Sequence, residues 1–355
     1  MTTPSLVGQT TGELTDLVAG LGGEKYRGRQ LAQAIYKQCV ADVAEIKVLP
    51  SALRSALTEG WRTNPLHLAG RKESSDGVVK LLTHGGDGNV FECVLLPFER
   101  RVSCCISSQV GCPMACTFCA TGLGGFDRNL SAGEIVGQVL LLQGVTKRRI
   151  SHVVFMGMGE PLLNTDNVLR AVEILTDEVG MSKRHVTIST VGIVPQIRAL
   201  GELRLPIHLA LSLHAPDDET RERLMPVNKK WPVDETVAAM REYQTRTGRK
   251  VTFEILLIRD VTDRPEQAQQ VARLVRKVPC VVNLIPFNYV DTEQGFARPT
   301  REAVEIYRSV LEREGVNVTQ RQERGHDIAA ACGQLAGEHK ARFGHRRKSP
   351  LGQAP

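Results

Sequence analysis

The chain has 355 residues, of which 42% are hydrophobic and 24% are charged, so it is long enough for one large domain or two smaller ones with an ordinary core. It has no apolar run long enough to span a membrane, and residues 1–5 do not resemble a signal peptide, so we expect a cytoplasmic protein with no membrane partner. The formal net charge of +6 permits a polyanionic partner such as nucleic acid, but a mildly basic enzyme with a small-molecule substrate fits it equally well.

Residues 1–62 are predicted to form an N-terminal helical accessory domain. Apolar residues recur at helical spacing near residues 14–21, a second amphipathic helix is expected at 29–39, and a third at 50–60 with Ser51 as its N-cap. Basic side chains surround the apolar face of the second helix. They form either an RNA contact or, more commonly for such helices, a surface turned to solvent.

Two short segments flank the main domain. Residues 63–100 are predicted to form a β-hairpin extension, with strands at 78–82 and 89–96 around a glycine-rich turn at 85–88. Residues 336–355 are polar and basic, so we expect a disordered tail that adds non-specific attraction to phosphate.

From residue 101 to residue 335 a strand and a helix alternate, which is typical of an α/β protein with a parallel sheet. The predicted strands are 102–106, 152–156, 185–190, 207–212, 251–258 and 281–285. The predicted helices are 132–142, which opens with a capping box from Ser131 to Glu134, then 167–179, 195–200, 234–243, 266–275 and 300–314. Six such units fit a partial (β/α)6 barrel better than a closed barrel of eight, and active-site residues should lie at the C-terminal ends of the strands.

The loop after the first barrel strand contains Cys112, Cys116 and Cys119 in a C-x3-C-x2-C pattern. Three thiolates would ligate three irons of a four-iron cluster and leave the fourth iron open to a substrate. A zinc site completed by Cys104 or Cys105 is the main alternative, because zinc prefers four protein ligands. A plain helix face is a weak alternative, since glycine and proline interrupt the segment. The nine cysteines of the chain are odd in number and irregularly spaced, which argues against a disulfide framework.

Polar or glycine-rich segments follow several of the other predicted strands. The second strand ends in the run 156–161 (MGMGEP), whose glycines allow close approach of a ligand and whose Glu160 can accept a hydrogen bond from an amino group. Ser189 ends the third strand, Ser212 and His214 end the fourth, and Asn288 follows the sixth. Each residue alone would more often be a turn or capping residue. Near the C-terminus, Cys332 is either a nucleophile on a flexible loop or a small buried residue.

Together these motifs resemble the RlmN/Cfr family of radical SAM RNA methyltransferases, over roughly residues 25–338. The similar segments are 105–112 (CISSQVGC), the cysteine loop with residues 120–122, 157–161 (GMGEP), 212–216 (SLHAP) and 331–335 (ACGQL). Pro161 and the run 285–288 (IPFN) favour the RlmN branch, which methylates C2 of adenine, over the Cfr branch, which methylates C8. The resemblance implies a partial (β/α)6 radical SAM barrel with an N-terminal helical domain.

The resemblance also implies the cofactors and their ligands. One [4Fe-4S] cluster with an open iron would be held by Cys112, Cys116 and Cys119. The expected contacts to S-adenosylmethionine (SAM) are Gly159, Glu160, Ser189, Ser212, Leu213, His214 and Asn288. Two SAM molecules would be used per turnover, one as methyl donor and one as the source of a 5′-deoxyadenosyl radical.

Three residues would carry the chemistry on the RNA. Cys332 would receive the methyl group and, after loss of a hydrogen atom from that group, join its carbon to the adenine. Cys105 would resolve this adduct by forming a transient disulfide with Cys332, and Glu92 would accept a proton. A charge on an exposed strand is the alternative explanation for Glu92.

The expected substrates are an adenosine of 23S rRNA near the peptidyl-transferase centre and, for the RlmN branch, the adenosine 3′ of some tRNA anticodons. A one-electron donor such as flavodoxin and a monomeric state are also expected. Two positions depart from the family pattern: Cys104 makes a pair with Cys105, and His326 stands where an acidic residue is usual. A radical SAM enzyme with another substrate, including a C8 methylase, and a zinc-stabilised RNA-binding protein without catalysis are the alternative functions.

Overall fold

The computed structural model describes residues 3–290, 294–331 and 333–335. The predicted basic tail and Cys332 therefore lie outside the described residues. No helix within the described ranges is both long enough and apolar enough to cross a membrane.

The N-terminal residues form three helices, α1 (Thr11–Gly20), α2 (Lys25–Tyr36) and α3 (Ser51–Gly60). A capping box between Thr10 and Glu13 starts α1, and Leu14 and Val18 are buried on its inner face. The prediction that Ser51 caps α3 is wrong. Pro50 occupies the N-cap position in an extended conformation without a side-chain cap, and Ser51 is already the first helical residue.

The predicted β-hairpin is confirmed as two strands of a longer antiparallel sheet formed by β1 (His67–Glu73), β2 (Val79–His84) and β3 (Val90–Pro97). The first strand was not predicted, because its residues are mostly polar and exposed and show no apolar alternation. The third strand pairs in antiparallel fashion with the first barrel strand, so the extension continues directly into the barrel sheet.

The remaining strands are β4 (Val102–Cys105), β5 (Gln109–Gly111), β6 (Phe126–Asn129), β7 (His152–Phe155), β8 (Val186–Thr190), β9 (His208–Ser212), β10 (Val251–Leu257), β11 (Cys280–Pro286) and β12 (Val318–Gln320). Within one sheet of ten strands, β4, β7, β8, β9, β10, β11 and β12 are neighbours in that order and pair in parallel. The predicted partial barrel is confirmed: six expected strands are present, a short seventh extends the sheet at β12, and the sheet stays open between its two edges.

Helices cover the barrel between successive strands. They are α4 (Ala120–Gly124), α5 (Ala132–Thr146), α6 (Thr165–Glu173), α7 (Val194–Glu202), α8 (Asp218–Leu224), α9 (Val233–Thr247), α10 (Pro265–Val275) and α11 (Arg301–Arg313). The predicted capping box of α5 is confirmed, because the Ser131 hydroxyl accepts from the Glu134 amide and the Glu134 carboxylate accepts from the Ser131 amide. The helix predicted at 167–179 is α6 followed by a π-helical turn at Ile174–Glu178.

Candidate active site

The three clustered cysteines lie on a loop between β5 and β6, which pair as a separate two-stranded ribbon beyond the end of β4. The amide of Cys112 donates to the Gly125 carbonyl at 2.7 Å, which closes the base of the loop. Gly111 has a φ of +73°, and a Cβ at this position would lie 2.1 Å from the Gly125 oxygen. Only glycine allows the two strands to approach this closely.

The cysteine loop is fixed to two distant parts of the chain. The Thr117 amide donates to the carbonyl of Leu224, the last residue of α8, at 3.0 Å. The Ala120 amide donates to the Gly333 carbonyl at 2.8 Å, and the Thr121 hydroxyl donates to the Leu335 carbonyl at 3.1 Å. These bonds hold Gly333 and Leu335 next to the cysteine loop.

The three thiols influence one another electrostatically. Burial raises the pKa of Cys112 above its usual range, and the neighbouring Cys119 raises it further. Burial also raises the pKa of Cys116, to which both other thiols contribute. Among the described side chains, no group of three or more His, Cys, Asp and Glu residues is arranged to hold a single metal ion. Three thiols in this position become thiolates only when a positively charged group, such as an iron–sulfur core, compensates their charge.

Beside the cysteine loop, the C-terminal ends of the parallel strands surround a cavity of about 150 Å³. Its lining includes seven of the predicted site residues, namely Cys119, Gly159, Glu160, Ser189, Ser212, His214 and Asn288. Leu213 is fully buried and does not line the cavity. The structure thus brings the predicted SAM residues together at one edge of the sheet, as the barrel rule requires.

Glu160 is 2% exposed, and its carboxylate accepts hydrogen bonds from the amides of Leu162 at 2.9 Å and Val191 at 2.8 Å. Burial raises the pKa of this carboxyl to about 7 in spite of these bonds. Gly159 has a φ of +104°, and a Cβ there would lie 2.6 Å from the Gln109 side chain, so the backbone crosses closely over β5. Glu160 is therefore a buried acceptor that faces the cavity.

His214 is buried, and Phe118 of the cysteine loop packs edge-on against its ring with centroids 5.1 Å apart. The Leu256 amide lies 3.2 Å from Nδ1 and donates to it. Burial, and then the charge of Arg221, lowers the pKa of His214 to about 3, so the imidazole is neutral at physiological pH. His214 acts as a neutral, fixed wall between the cysteine loop and β10.

Glu254 is a site residue that the sequence reasoning missed. It lies inside β10, lines both cavities of the barrel mouth, and accepts a hydrogen bond from the Ser189 hydroxyl at 3.1 Å. Arg321 approaches the same carboxylate at 3.9 Å. The available signal was a charged residue in an otherwise apolar run, 251–257 (VTFEILL), which is unusual for a buried strand.

A second cavity, of about 480 Å³, adjoins the first and is lined by Cys105, Ala330 and Ala331. Cys105 is 6% exposed and points into the barrel. Cys104 is fully buried beside Cys93 on the opposite face of β4, so it does not share the position of Cys105. The cavity reaches Ala331, the residue that precedes Cys332.

Glu92 is buried, at 1% exposure, so the alternative of an exposed strand charge is wrong. Its carboxylate lies 3.4 Å from the ammonium of Lys80, which is also buried. The same ammonium donates to the Ala329 carbonyl at 3.1 Å. Lys80 was not singled out in the sequence, and it joins Glu92 to the segment that leads to Cys332. His326 is exposed, and its neighbour Asp327 accepts from the Ser75 amide at 3.1 Å, which anchors this segment to the β1–β2 turn.

Comparison with known proteins agrees with this geometry. The family model of the radical SAM superfamily matches residues 106–274. A probable dual-specificity RNA methyltransferase RlmN from Thermosynechococcus vestitus is 45% identical over 93% of this chain and 97% of its own length. A protein of the same description from Alkaliphilus oremlandii is 42% identical over 94% of this chain and 98% of its own. The crystal structure of a radical SAM methyltransferase from Sphaerobacter thermophilus has a TM-score of 0.91 and 40% identity, covering 94% of this chain and 99% of that one.

Radical SAM proteins use a [4Fe-4S] cluster and SAM. The described residues fit both groups, because three interacting thiols stand beside a strand-end cavity that contains a buried acceptor, Glu160. The extent of the match covers the helical N-terminus, the extension and the barrel alike. The chain therefore belongs to the RlmN family of SAM-dependent radical SAM RNA methyltransferases.

Proposed function

We propose that this protein methylates C2 of an adenosine in 23S rRNA near the peptidyl-transferase centre, and C2 of the adenosine 3′ of the anticodon in some tRNAs. The observation that carries the proposal is the shared cavity of Cys105 and Ala331, which adjoins the strand-end cavity beside the cysteine loop. A methyl-carrier mechanism with a resolving cysteine requires two thiols, and the cavity joins the Cys105 thiol to Ala331, which precedes Cys332 in the sequence.

In this proposal Cys112, Cys116 and Cys119 hold the cluster and leave one iron open for SAM. The bound cluster and SAM supply the one-electron chemistry that activates a methyl group for attachment to an electron-poor carbon. SAM is held by Glu160, by Gly159 through its close backbone, and by the strand-end residues Ser189, Ser212, His214 and Asn288. Leu213 is fully buried, so it has no direct contact with SAM in this proposal. Glu160 accepts from the SAM amino group, and the neutral His214 keeps the cavity wall in place.

The remaining steps belong to Cys332, Glu92 and Cys105, of which Cys105 lines the second cavity. The Cys332 thiolate displaces the methyl group of one SAM and releases S-adenosylhomocysteine. That methyl carbon loses a hydrogen atom and then forms the bond to C2 of the adenine, and both the hydrogen atom and one electron of the adduct would be taken up by the one-electron chemistry named above. Glu92 takes the C2 proton, which restores the aromatic ring. The Cys105 thiolate then attacks the Cys332 sulfur, so that a disulfide forms and the sulfur–carbon bond breaks. The carbon keeps the bonding electrons, and a proton completes the new methyl group.

The side chains at the outer rim of the second cavity favour RNA as the substrate. Phe98 lies there within reach of two guanidinium groups, those of Arg101 at 4.7 Å and Arg324 at 5.3 Å from its ring centroid. Aromatic rings and arginine planes stack on unpaired bases, and arginines pair with phosphates. An adenosine turned out of an RNA loop would pass this rim before reaching Cys105.

The cellular setting follows from the same proposal. A cytoplasmic monomer that receives single electrons from a flavodoxin-type donor would meet both ribosomal precursors and tRNA. The lack of a membrane-spanning helix in the described ranges is compatible with this setting.

The test is a nucleoside assay. Purified, cluster-loaded protein is incubated with SAM, a reductant and either 23S rRNA or tRNA that lacks the modification, and the digested RNA is analysed by mass spectrometry. We expect 2-methyladenosine from rRNA and from a subset of tRNAs. Formation of 8-methyladenosine, or of no methylated adenosine in either RNA, would overturn the assignment.

A Cys105→Ala variant tests the proposal that Cys332 carries the methyl group and Cys105 resolves the adduct. Without the resolving thiol the adduct cannot be released, so covalent protein–RNA complexes should accumulate and turnover should stop after the first event. Cys104→Ala is the matched control, because Cys104 faces away from the cavity, and it should turn over normally. Normal turnover by Cys105→Ala would remove Cys105 from the mechanism.

A further inference from the structure

Arg221 is the largest fully buried side chain of the described residues, with no exposed surface. Its guanidinium donates to the carbonyls of Val191 at 2.6 Å, Leu213 at 3.1 Å and Ser212 at 3.4 Å. It also donates to the Asn228 side chain at 2.8 Å and to the Trp231 carbonyl at 3.3 Å. The Val191 carbonyl directly follows β8, and the Ser212 and Leu213 carbonyls lie at the end of β9, where the predicted SAM residues lie. Arg221 therefore ties these two strand ends together.

The positive charge of this guanidinium has no direct counter-charge among the described residues, since no carboxylate lies within 4.0 Å of it. Asp218 acts on it electrostatically, but that carboxylate is on an exposed residue and reaches Arg221 through the Asn228 amide. Burial lowers the pKa of Arg221 to about 10, so the group still carries its charge at physiological pH. A buried charge is costly unless an opposite charge lies close to it.

The cysteine loop lies directly against the helix that carries Arg221. The Thr117 amide and hydroxyl both donate to the Leu224 carbonyl at the end of α8, at 3.0 and 3.3 Å. Cys116, the central cysteine, is buried and interacts electrostatically with Arg221. The group expected at these cysteines is an anion overall, because three thiolates outweigh the charge of the oxidised iron–sulfur core, and reduction adds one more negative charge.

We propose that Arg221 is the internal counter-charge of the iron–sulfur cluster, and a positioning residue that holds the ends of β8 and β9 around it. This inference rests on the proposed role of Cys112, Cys116 and Cys119 as cluster ligands. A fixed cation beside the cluster favours the reduced state, which carries more negative charge, over the oxidised state. Arg221 thereby makes the cluster easier to reduce by a weak one-electron donor.

The experiment compares four proteins that are loaded with cluster without oxygen: the wild type, Arg221→Gln, Arg221→Lys and Arg223→Gln. Arg223 is the matched control, because it lies on the same helix but is exposed. The readout is the ratio of reduced to oxidised cluster at a series of applied potentials, followed by electron paramagnetic resonance. This ratio reports on charge and is independent of methyl transfer.

Removing the charge in Arg221→Gln should lower the ratio at a fixed potential by about tenfold, as expected for one nearby charge at an effective dielectric constant of about 20. For a one-electron couple this is a shift of about 59 mV to more negative potential. Arg221→Lys keeps the charge and should keep the wild-type ratio, although both variants should lose thermal stability with the forked hydrogen bonds. Arg223→Gln should match the wild type in both measurements.

An unchanged ratio in Arg221→Gln, or an equal fall in Arg221→Lys, would overturn the counter-charge role. If Arg221→Gln yields too little folded protein, Asp218→Asn decides the question. It keeps the oxygen that accepts from the Val233 amide but removes the negative charge that offsets Arg221, so the ratio should rise. No change in Asp218→Asn would overturn the proposal. Failure of the wild type itself to bind a four-iron cluster would instead disprove the ligand assignment.

Discussion

At the scale of single residues, the Glu160 carboxylate is already fixed in the cavity wall without a ligand. Two amide donors, from Leu162 and Val191, hold its carboxylate in place at the cavity wall. Two carboxylate oxygens can accept about four hydrogen bonds, so capacity remains for a donor inside the cavity. Because burial has raised its pKa to about 7, the charge state of this acceptor changes within the physiological range.

This shift predicts that SAM binding depends on pH. The deprotonated carboxylate accepts from the SAM amino group, whereas protonation makes the group a donor and removes its charge. Affinity should therefore be full above a pH of about 7 and should weaken by up to about tenfold per pH unit below it. Calorimetric titration of the cluster-loaded protein with SAM measures this affinity. The pH should range from about 1.5 units below the Glu160 pKa to about 1 unit above it.

Glu160→Gln is the control for this measurement. It keeps an acceptor oxygen but cannot titrate, so its SAM affinity should be weaker than that of the wild type at neutral pH and should stay flat as the pH falls. A wild-type affinity that is equally flat would show that another group sets the binding strength.

Among single residues, the sequence alone indicated those that belong to short motifs. It did not indicate residues that contact a site residue on a neighbouring strand. Cys112, Cys116, Cys119 and Glu160 lie in short patterns that can be read along the chain. Lys80 acts on Glu92 through pairing of β2 with β3, and also reaches Ala329, which is far away in sequence. Contacts of this kind depend on strand register, which a single sequence does not specify well.

At the scale of elements, the β5–β6 ribbon decides where the cysteines lie. The loop was expected to follow the first barrel strand directly, but β5 and β6 were not predicted, because β5 has only three residues and β6 (FDRN) is mostly polar. The strand β12 also has only three residues, and every residue of α8 except Leu224 is polar or charged, so neither element shows an apolar pattern. Long periodic segments such as α5 and β10 were predicted well.

The loop itself depends on a close contact with α4. A Cβ at Gly122 would lie 2.9 Å from the amide nitrogen of Cys116 and 3.2 Å from its carbonyl oxygen. Both are backbone atoms, so they cannot move aside as a flexible side chain can. The glycine thus sets the distance between the first turn of α4 and the middle of the cysteine loop.

We predict that Gly122→Ala displaces the cysteine loop and sharply lowers cluster content, at a cost of about 1–3 kcal/mol in local stability. Iron and sulfide analysis after anaerobic reconstitution measures this loss. Gly124→Ala is the control, because it lies in the same helix and its added methyl group would meet no atom within 4 Å. Equal iron content in the two variants would show that the loop tolerates the displacement.

At the scale of the whole molecule, the N-terminal helices are held to the barrel by a close backbone crossing. Gly8 has a φ of +107°, and a Cβ there would lie 2.8 Å from the Cα of Gly133 in the first turn of α5. A Cβ at Gly133 would lie 2.6 Å from the Val7 carbonyl oxygen. The Thr11 amide adds a hydrogen bond to the Glu178 carboxylate at 2.9 Å. The division into domains at residue 62 stays a prediction, but these contacts couple the two parts.

The helix α5 also contains Gly137 and Gly144, and Gly144 permits a matched test of the coupling. Alanine is a better helix former than glycine by about 1 kcal/mol, so Gly144→Ala, whose methyl group meets no atom within 4 Å, should be neutral or slightly stabilising. Gly133→Ala has the same intrinsic gain but forces Val7 and Gly8 away from the barrel, so thermal unfolding should occur at a lower temperature and limited proteolysis should cut near residue 8. If both variants unfold at the same temperature, the glycine crossing does not hold the N-terminal helices to the barrel, and other contacts, such as the Thr11–Glu178 hydrogen bond and the Glu13–Arg170 ion pair, do so instead.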